Sequence, residues 1–479
     1  MGSLYGQMHL SRTESMLDEA TMRLSSGKKL NGSSDDAAGM AISTRMNAQV
    51  RGLNMAVKNA GDGISMLNSI EGALDEVTNM LLRMRELSVQ AVNGTNFGTD
   101  RNYLNEEINQ LKNEITRISA NTRFNGEPVL DGSLTSKVFQ LGTEGGETVS
   151  FAVDSVASSA LGAFTYTGTT KAAAAAAATV VANTNTTAED LSIHGHTVSK
   201  DFAASAAQSA KTLAAAINVE TGTTGVTAKA QTYAKLLSTA AAATYSITLN
   251  GTSTGNFSIG STSVGDAVTK INQISGTTGV SASASSDGSF VTLYHSQGED
   301  ISVINDSAGT DLDVVAVGFD GTTAGSTVIS LAAAAGNDST SVQGNIQLTS
   351  SKSFSITQAG TAALGYFTTG SGSLASISNV GVKTQATATS SIATIDGALE
   401  KISSVRAELG ALTNRLEYTV DNLTNIATNT QAAISRIVDA DFAAETAKLT
   451  KAQILQQAGT AMLAQANQSK QSVLALLGQ

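Results

Sequence analysis

Ile392-Ala393-Thr394-Ile395-Asp396-Gly397-Ala398-Leu399-Glu400-Lys401-Ile402 opens a run that continues to Ala427 and decides the fold. Its apolar residues fall at Ile392, Ile395, Leu399, Ile402, Val405, Leu409, Leu412, Leu416, Val420, Leu423 and Ile426, and every step is three or four. That spacing predicts a helix with one apolar stripe sustained for about five heptads. At 1.5 Å per residue it spans roughly 50 Å, far beyond the ~11 residues of an average globular helix. A helix of that length is not stable alone in water and needs a partner for its stripe.

Partners lie at the other end of the chain. Between Asp62 and Ala91, the residues Leu67, Ile70, Leu74, Val77, Leu81 and Met84 form a heptad seam, with Glu71, Asp75, Glu76, Arg83, Arg85 and Glu86 at the remaining positions. Asn93-Gly94-Thr95-Asn96-Phe97-Gly98 breaks it. A second helix, Arg101 to Ala120, carries Leu104, Ile108, Leu111, Ile115 and Ile118, and so short a break predicts antiparallel neighbours. Upstream, residues 3–25 read as a helix on Leu10, Leu17, Ala20 and Leu24, closed by Ser25-Ser26-Gly27. Lys28 to Asp36 is a connector turning at Asn31-Gly32. Asp35-Asp36 and Asp439/Asp441 are paired acids, best explained as helix caps. A last helix runs from about Phe442 to Leu477 with Leu449, Ile454, Leu455, Met462, Leu463, Val473, Leu474, Leu476 and Leu477. A monomer leaves that apolar end uncovered, which points to assembly.

The middle differs. Lys137–Leu141 and Glu147–Val153 alternate around Gly145-Gly146 and predict a β-hairpin. No arginine occurs between Arg123 and Arg406, and Ala, Thr, Ser and Gly dominate. The seven alanines Ala172–Ala178 favour helix on propensity. Thr221-Gly222-Thr223-Thr224-Gly225-Val226 and Ser275-Gly276-Thr277-Thr278-Gly279-Val280 repeat at a separation of 54 residues, each after an Ile-Asn pair. Leu191–Gly195 and Ile247–Gly251 look like the matching opening strands. Two copies are too few for a solenoid and suggest a duplicated α+β module. Val328–Leu331, Asn345–Leu348 and Ser353–Ile356 read as further strands.

Composition excludes several functions. Cysteine is absent, so disulfides, thiol catalysis and thiolate metal sites are absent too. A net charge of −11 argues against nucleic-acid binding. No run of 18 apolar residues exists to span a membrane, and no basic flank precedes an apolar core at the N-terminus. His194 and His196 lie two apart without a third ligand, which favours a surface strand over a metal site. The glycine motifs lack the lysine of a phosphate loop. No catalytic, metal or cofactor residues are assigned.

The chain resembles the bacterial flagellins, subunits of the flagellar filament. The resemblance is carried by Arg23-Leu24-Ser25-Ser26-Gly27, Ser34-Asp35-Asp36-Ala37-Ala38-Gly39, Asn59-Ala60-Gly61-Asp62-Gly63-Ile64-Ser65, Arg85-Glu86-Leu87-Ser88-Val89-Gln90 and Thr122-Arg123-Phe124-Asn125-Gly126. At the other end Ser435–Ala443 and Met462-Leu463-Ala464-Gln465-Ala466-Asn467-Gln468 carry it. Only Met1-Gly2 precede Ser3, whereas family members usually carry about ten residues there, which as helix would add ~15 Å.

The resemblance implies an α+β multidomain protein. A long antiparallel or coaxial helical bundle forms from the N- and C-terminal segments, and the middle of the chain makes one or more β-rich outer domains. The expected divisions are an inner-tube helix at 1–33, bundle plus hairpin at 34–165, and an outer region at 166–385 with repeats near 190–235 and 245–305. A bundle helix at 386–435 and an inner-tube helix at 436–479 complete them. It implies a helical homopolymer for swimming, exported unfolded through the flagellar channel to an extracellular flagellum. Near-absence of proline suits quick refolding after such passage. Implied partners are other copies, an export chaperone, the filament cap, hook-associated proteins and a flagellin-sensing Toll-like receptor. Arg83, Leu87 and Glu107 match that receptor's contact residues, and subunit packing is the plainer role for them. Leu474, Leu476 and Leu477 match the segment read by the chaperone, with inner-tube packing as the plainer role. Alternatives are a hook–filament junction protein, or a scaffold whose middle is an adhesin or enzyme.

Overall fold

The structure, a computed structural model, describes residues 2–179, 183, 190–196, 198–203, 208–238, 242–260, 263–285, 287–307, 309–333, 336–359 and 365–477. Five long helices carry the chain ends: α1 (Gly2–Ser26), α2 (Ala37–Val92), α3 (Gly98–Asn121), α8 (Gln385–Val438) and α9 (Phe442–Leu477). The expected plan of terminal helices around a β-rich middle is what the chain adopts. The residues gather into two compact units. One is Met1–Asn68, Ser136–Phe151 and Gly410–Gln479; the other is Ser69–Thr135 and Ala152–Leu409.

Heptad spacing is what makes these helices. Leu67, Ile70, Leu74, Val77, Leu81 and Met84 of α2 are all 0% exposed. Of the predicted stripe on α8, the buried positions are Ile395, Ile402, Leu409, Leu416 and Leu423, each seven from the next. The alternate positions Ile392, Leu399, Val405, Leu412 and Val420 are half-buried, and Ile426 is exposed. One side of the stripe is therefore seated and the other is shallow. In the second unit, ion pairs flank the seam: Arg406 Nε donates to Glu71 Oε1 at 2.7 Å, and Arg85 Nε to Asp396 Oδ1 at 2.6 Å. Both pairs are solvated, so apolar burial and not charge sets the stability there.

α2 is one helix through Asn59-Ala60-Gly61-Asp62-Gly63, carrying the predicted Asp62–Ala91 helix back to Ala37. Gly63 keeps a close approach open, because a Cβ there would lie 3.3 Å from the Phe139 ring and 3.4 Å from Leu416. Phe139 belongs to the predicted hairpin, β3 (Lys137–Gln140) with β4 (Thr148–Phe151), and stacks on Phe151 with ring centres 5.6 Å apart. Between α3 and that hairpin, β1 (Arg123–Phe124) and β2 (Glu127–Pro128) close around Asn125 and Gly126, with φ of 50° and 86°. Positive φ at both central residues is what a tight hairpin turn demands.

The middle begins with β5 (Gly162–Thr167), β6 (Asp190–His194) and β7 (Ser199–Phe202). Next come α4 (Ala210–Val219), the single turn α5 (Thr221–Thr224) and β8 (Val226–Ser238). The same order recurs in β9 (Ala242–Leu249), β10 (Thr252–Gly260), α6 (Gly265–Gln273), the turn α7 (Ser275–Thr278) and β11 (Val280–Ala284). β12 (Phe290–His295), β13 (Ile301–Asn305), β14 (Leu312–Val317) and β15 (Ala324–Leu331) follow. Then come β16 (Ser339–Val342), β17 (Asn345–Ser350), β18 (Ser355–Ala359), β19 (Gly370–Ser371) and β20 (Ser373–Ser376).

The two copies match atom for atom at one device. Asn218 Nδ2 donates to Ala228 O at 2.8 Å while its Oδ1 accepts from Ala228 N at 2.7 Å. Asn272 does the same to Ala282, at 3.0 and 2.8 Å. Gly225 and Gly279 end the turns at φ 69° and 71°. The Ile-Asn and Thr-Gly-Val signatures therefore repeat because each asparagine clips its helix to the strand that follows.

β8 organises the middle. Its first half pairs with β17; its second half lies between β12 and β14. Val226, Ala228 and Ala230 enter one apolar cluster with Ile193, Ile217, Ile346 and Ile356. Ala234 and Leu236 enter another with Ile247, Phe257, Ile271, Leu293 and Val303. Two cores share one strand.

The helix expected at Ala172–Ala178 does not form. Lys171–Ala176 carry no regular structure, Ala174 N donates to Ser341 O at 3.0 Å, and Ala177 bridges Ser339. Tertiary pairing along β16 and burial of Ala173 override a weak intrinsic propensity.

Candidate functional site

The chain ends make an antiparallel helix pair within the first unit. On α1 the seam positions are Gly6, Leu10, Thr13, Leu17, Ala20 and Leu24, with Arg23 sheltered beside them; on α9 they are Glu445, Leu449, Ala452, Gln456, Gly459 and Leu463. Both sets step three and four. Alternate positions carry small residues, so the backbones come close: a Cβ on Gly6 would lie 2.8 Å from Leu463 Cδ2, and one on Gly459 3.6 Å from Leu10 Cδ1. The seam is narrow. It fully buries only Ala20, Ala452 and Glu445 among the described side chains of the pair.

What the seam leaves out is large and apolar. Leu4, Tyr5, Met8, Ile454 and Met462 are 69, 61, 65, 60 and 71% exposed, with Met16, Met22, Phe442 and Leu455 also out. A cleft of about 400 Å³ runs beside the seam, lined by Leu10, Met16, Leu455 and Met462 among others. Sequence periodicity finds the leucines of α1; the signal for the seam itself is the seven-residue spacing of Gly6, Thr13 and Ala20 between them.

Charge fixes the register at the inner end of the pair. Arg23 NH1 donates to the buried Glu445 at 3.4 Å and also pairs with Glu19, while Lys448 Nζ meets Glu445 Oε1 at 2.8 Å. Lys448, and then Arg23, hold the Glu445 carboxyl below its usual range. Lys29 N donates to Val438 O at 2.6 Å and Ala440 N to Gly27 O at 3.0 Å, tying the connector to the far end of the chain. Of the four acids expected as caps, Asp36 and Asp441 do cap: Asp36 Oδ1 accepts from Ala38 N, and Asp441 Oδ1 from Ala443 N and Ala444 N. Asp35 instead closes the connector, accepting from Asn31 N and Gly32 N, which holds its carboxyl low. Asp439 pairs through its main chain with Lys28 in an isolated antiparallel β-bridge.

In the second unit Arg83 Nε donates to Glu107 Oε1 at 2.8 Å and NH1 to Glu86 Oε2 at 3.0 Å, and Glu107 does most to raise the guanidinium's pKa. Arg83 and Glu107 are close to half exposed and present one fork on the surface. Leu87 does not join them there. It is 1% exposed, inside the helical core. Leu474, Leu476 and Leu477 lie in α9, but their side chains fall outside the described residues. The buried Asn105 and Ser119 are polar residues that periodicity alone misses. Asn105 Oδ1 accepts from Val382 N at 3.1 Å, and Ser119 Oγ donates to Leu130 O at 2.8 Å. His194 spends both ring nitrogens on hydroxyls, Ser199 at 2.8 Å and Thr357 at 2.7 Å, and His196 lies past the strand end. Among the described residues no group of three His, Asp or Glu side chains could hold a metal.

Comparison with known proteins reads the same ends. A family model described as the bacterial flagellin N-terminal helical region matches residues 2–135, and one described as the C-terminal helical region matches 392–477. A third, the flagellin hook IN motif, matches 246–293. A B-type flagellin of Pseudomonas aeruginosa is 37% identical over 484 residues, covering 100% of this chain and 98% of that one. The chain belongs to the flagellin family. A flagellin B of Vibrio anguillarum is 31% identical, again over 100% of this flagellin and 98% of its relative. A solved FliC structure from Burkholderia pseudomallei matches with TM-score 0.31 and 19% identity, over 74% of this chain and 99% of that one. This flagellin is a structural subunit of the bacterial flagellar filament, and that reading stands over the hook–filament junction alternative.

Proposed function

We propose that this flagellin joins the filament by burying the apolar residues left outside its α1–α9 seam against neighbouring copies. Contacts between unlike surfaces, repeated without closure, extend a helix of subunits and not a ring. The observation that carries this is the narrow seam, which shelters small residues and leaves Leu4, Met8, Ile454 and Met462 exposed. The chain passes through the flagellum's own channel unfolded and takes its place outside the cell. An export chaperone reads the end of α9 around Leu474, Leu476 and Leu477; the cap and hook-associated proteins bound the filament it builds. Its role is mechanical and not catalytic, with no cofactor. Full-length chain added to filament fragments elongates them under electron microscopy; fragments that stay at their starting length reject the proposal.

The Arg83–Glu107 fork supports a second role as a contact for a flagellin-sensing Toll-like receptor. Arginine is favoured among residues that dominate interfaces. With Leu87 buried, its contribution is to hold α2 in place beneath the fork. Arg83→Ala lowers receptor-driven reporter activity about tenfold with the thermal midpoint unchanged. Unchanged activity excludes this role.

A further inference from the structure

Sulfur in this chain is confined to its helical ends. Cysteine is absent, every methionine but Met462 lies between Met1 and Met84, and none falls in the β-rich middle. An oxidant that acts on sulfur therefore finds targets only in the terminal segments. Exposure separates those targets. Met66 and Met84 on α2 are 2 and 0% exposed, whereas Met16, Met22, Met8 and Met462 are 46, 51, 65 and 71% exposed.

The exposed set stands outside the α1–α9 seam. At 3.6 residues per turn, Leu4, Tyr5, Met8, Met16 and Met22 share about a third of the α1 circumference, across the helix from Leu10, Leu17 and Leu24. Met16 and Met462 line the cleft of about 400 Å³ beside the seam. None of the seam positions on either helix is a methionine. A change at these sulfurs leaves the contact between α1 and α9 intact and alters only what the pair presents outward.

We propose that Met8, Met16, Met22 and Met462 are oxidation sites that control assembly: hydrogen peroxide converts them to sulfoxides in the free chain, and the modified chain no longer joins a filament. This rests on the reading that neighbouring copies bury the face outside the seam. In the step, a sulfur lone pair attacks one peroxide oxygen. The S–O bond forms, the O–O bond breaks and water leaves, so that sulfur loses two electrons and peroxide gains them. The product turns a flexible apolar side chain into a polar one. Water satisfies the new oxygen on the free subunit. Packing against an apolar neighbour removes that water and supplies no donor, which is unfavourable. Reductases specific for each sulfoxide epimer reverse the change.

The test treats the full-length chain with hydrogen peroxide, removes the excess, maps oxygen uptake by peptide mass spectrometry and measures seeded elongation by electron microscopy. The four exposed methionines gain oxygen about tenfold or more faster than Met66 and Met84. The treated chain keeps its helical circular dichroism but elongates about tenfold or more slowly, and treatment with both reductases restores growth. A chain carrying Met8→Leu, Met16→Leu, Met22→Leu and Met462→Leu together keeps the apolar volume without the sulfur, and elongates equally with and without peroxide. Oxidation of the four sites with growth unchanged, growth that the reductases do not restore, or equal inhibition of the leucine variant overturns the proposal and leaves the assembly reading standing. An untreated chain that fails to elongate seeds rejects both.

Discussion

Filament fragments stop growing when Ile454 and Met462 are both replaced by glutamate. The two side chains lie eight residues apart on α9, 60 and 71% exposed, so neither substitution creates a cavity or a clash within the subunit. Water hydrates the new carboxylates in the free chain. Packing against a neighbour strips that water away, and an unpaired buried charge costs several kcal/mol. At about 4 kcal/mol per added subunit, the concentration needed for growth rises on the order of a thousandfold. Seeded elongation by electron microscopy measures the loss, and circular dichroism of the soluble chain checks that the helices remain. Growth at the unsubstituted rate would show that this face stays in water in the filament.

The second large effect is within the subunit. Leu74→Ala removes a side chain that is 0% exposed, in line with Ile70 and Val77 on the α2 seam. Lost transfer energy and a cavity together cost about 2–5 kcal/mol. Arg406→Ala, which frees the solvated Glu71 and Asp75 one turn either side, costs far less. Urea unfolding of the soluble chain ranks the two; an Arg406→Ala loss equal to that of Leu74→Ala would mean that the ion pairs, and not apolar packing, hold the helices together.

Much of this is visible in the letters. A step of three and four names α2, α3 and α8 and their buried faces, because burying a stripe is the one way such long helices persist. The Ile-Asn and Thr-Gly-Val repeats announce a duplicated module. Other features depend on contacts distant in sequence. Ala172–Ala178 reads as helix until β16, some 165 residues on, offers its edge. Leu87 resembles a surface contact, yet its position on the α2 seam turns it inward. Arg23 and Glu445 are unremarkable residues 422 positions apart until the ends meet.

Because β8 lends one half of its length to each core, neither lobe of the β-rich middle can be excised cleanly. Trimming either one strips a partner from a ribbon that the survivor still needs. Anyone grafting a foreign loop onto such a chain does better to lengthen a turn such as Asn250-Gly251, between β9 and β10, which leaves the ribbon whole.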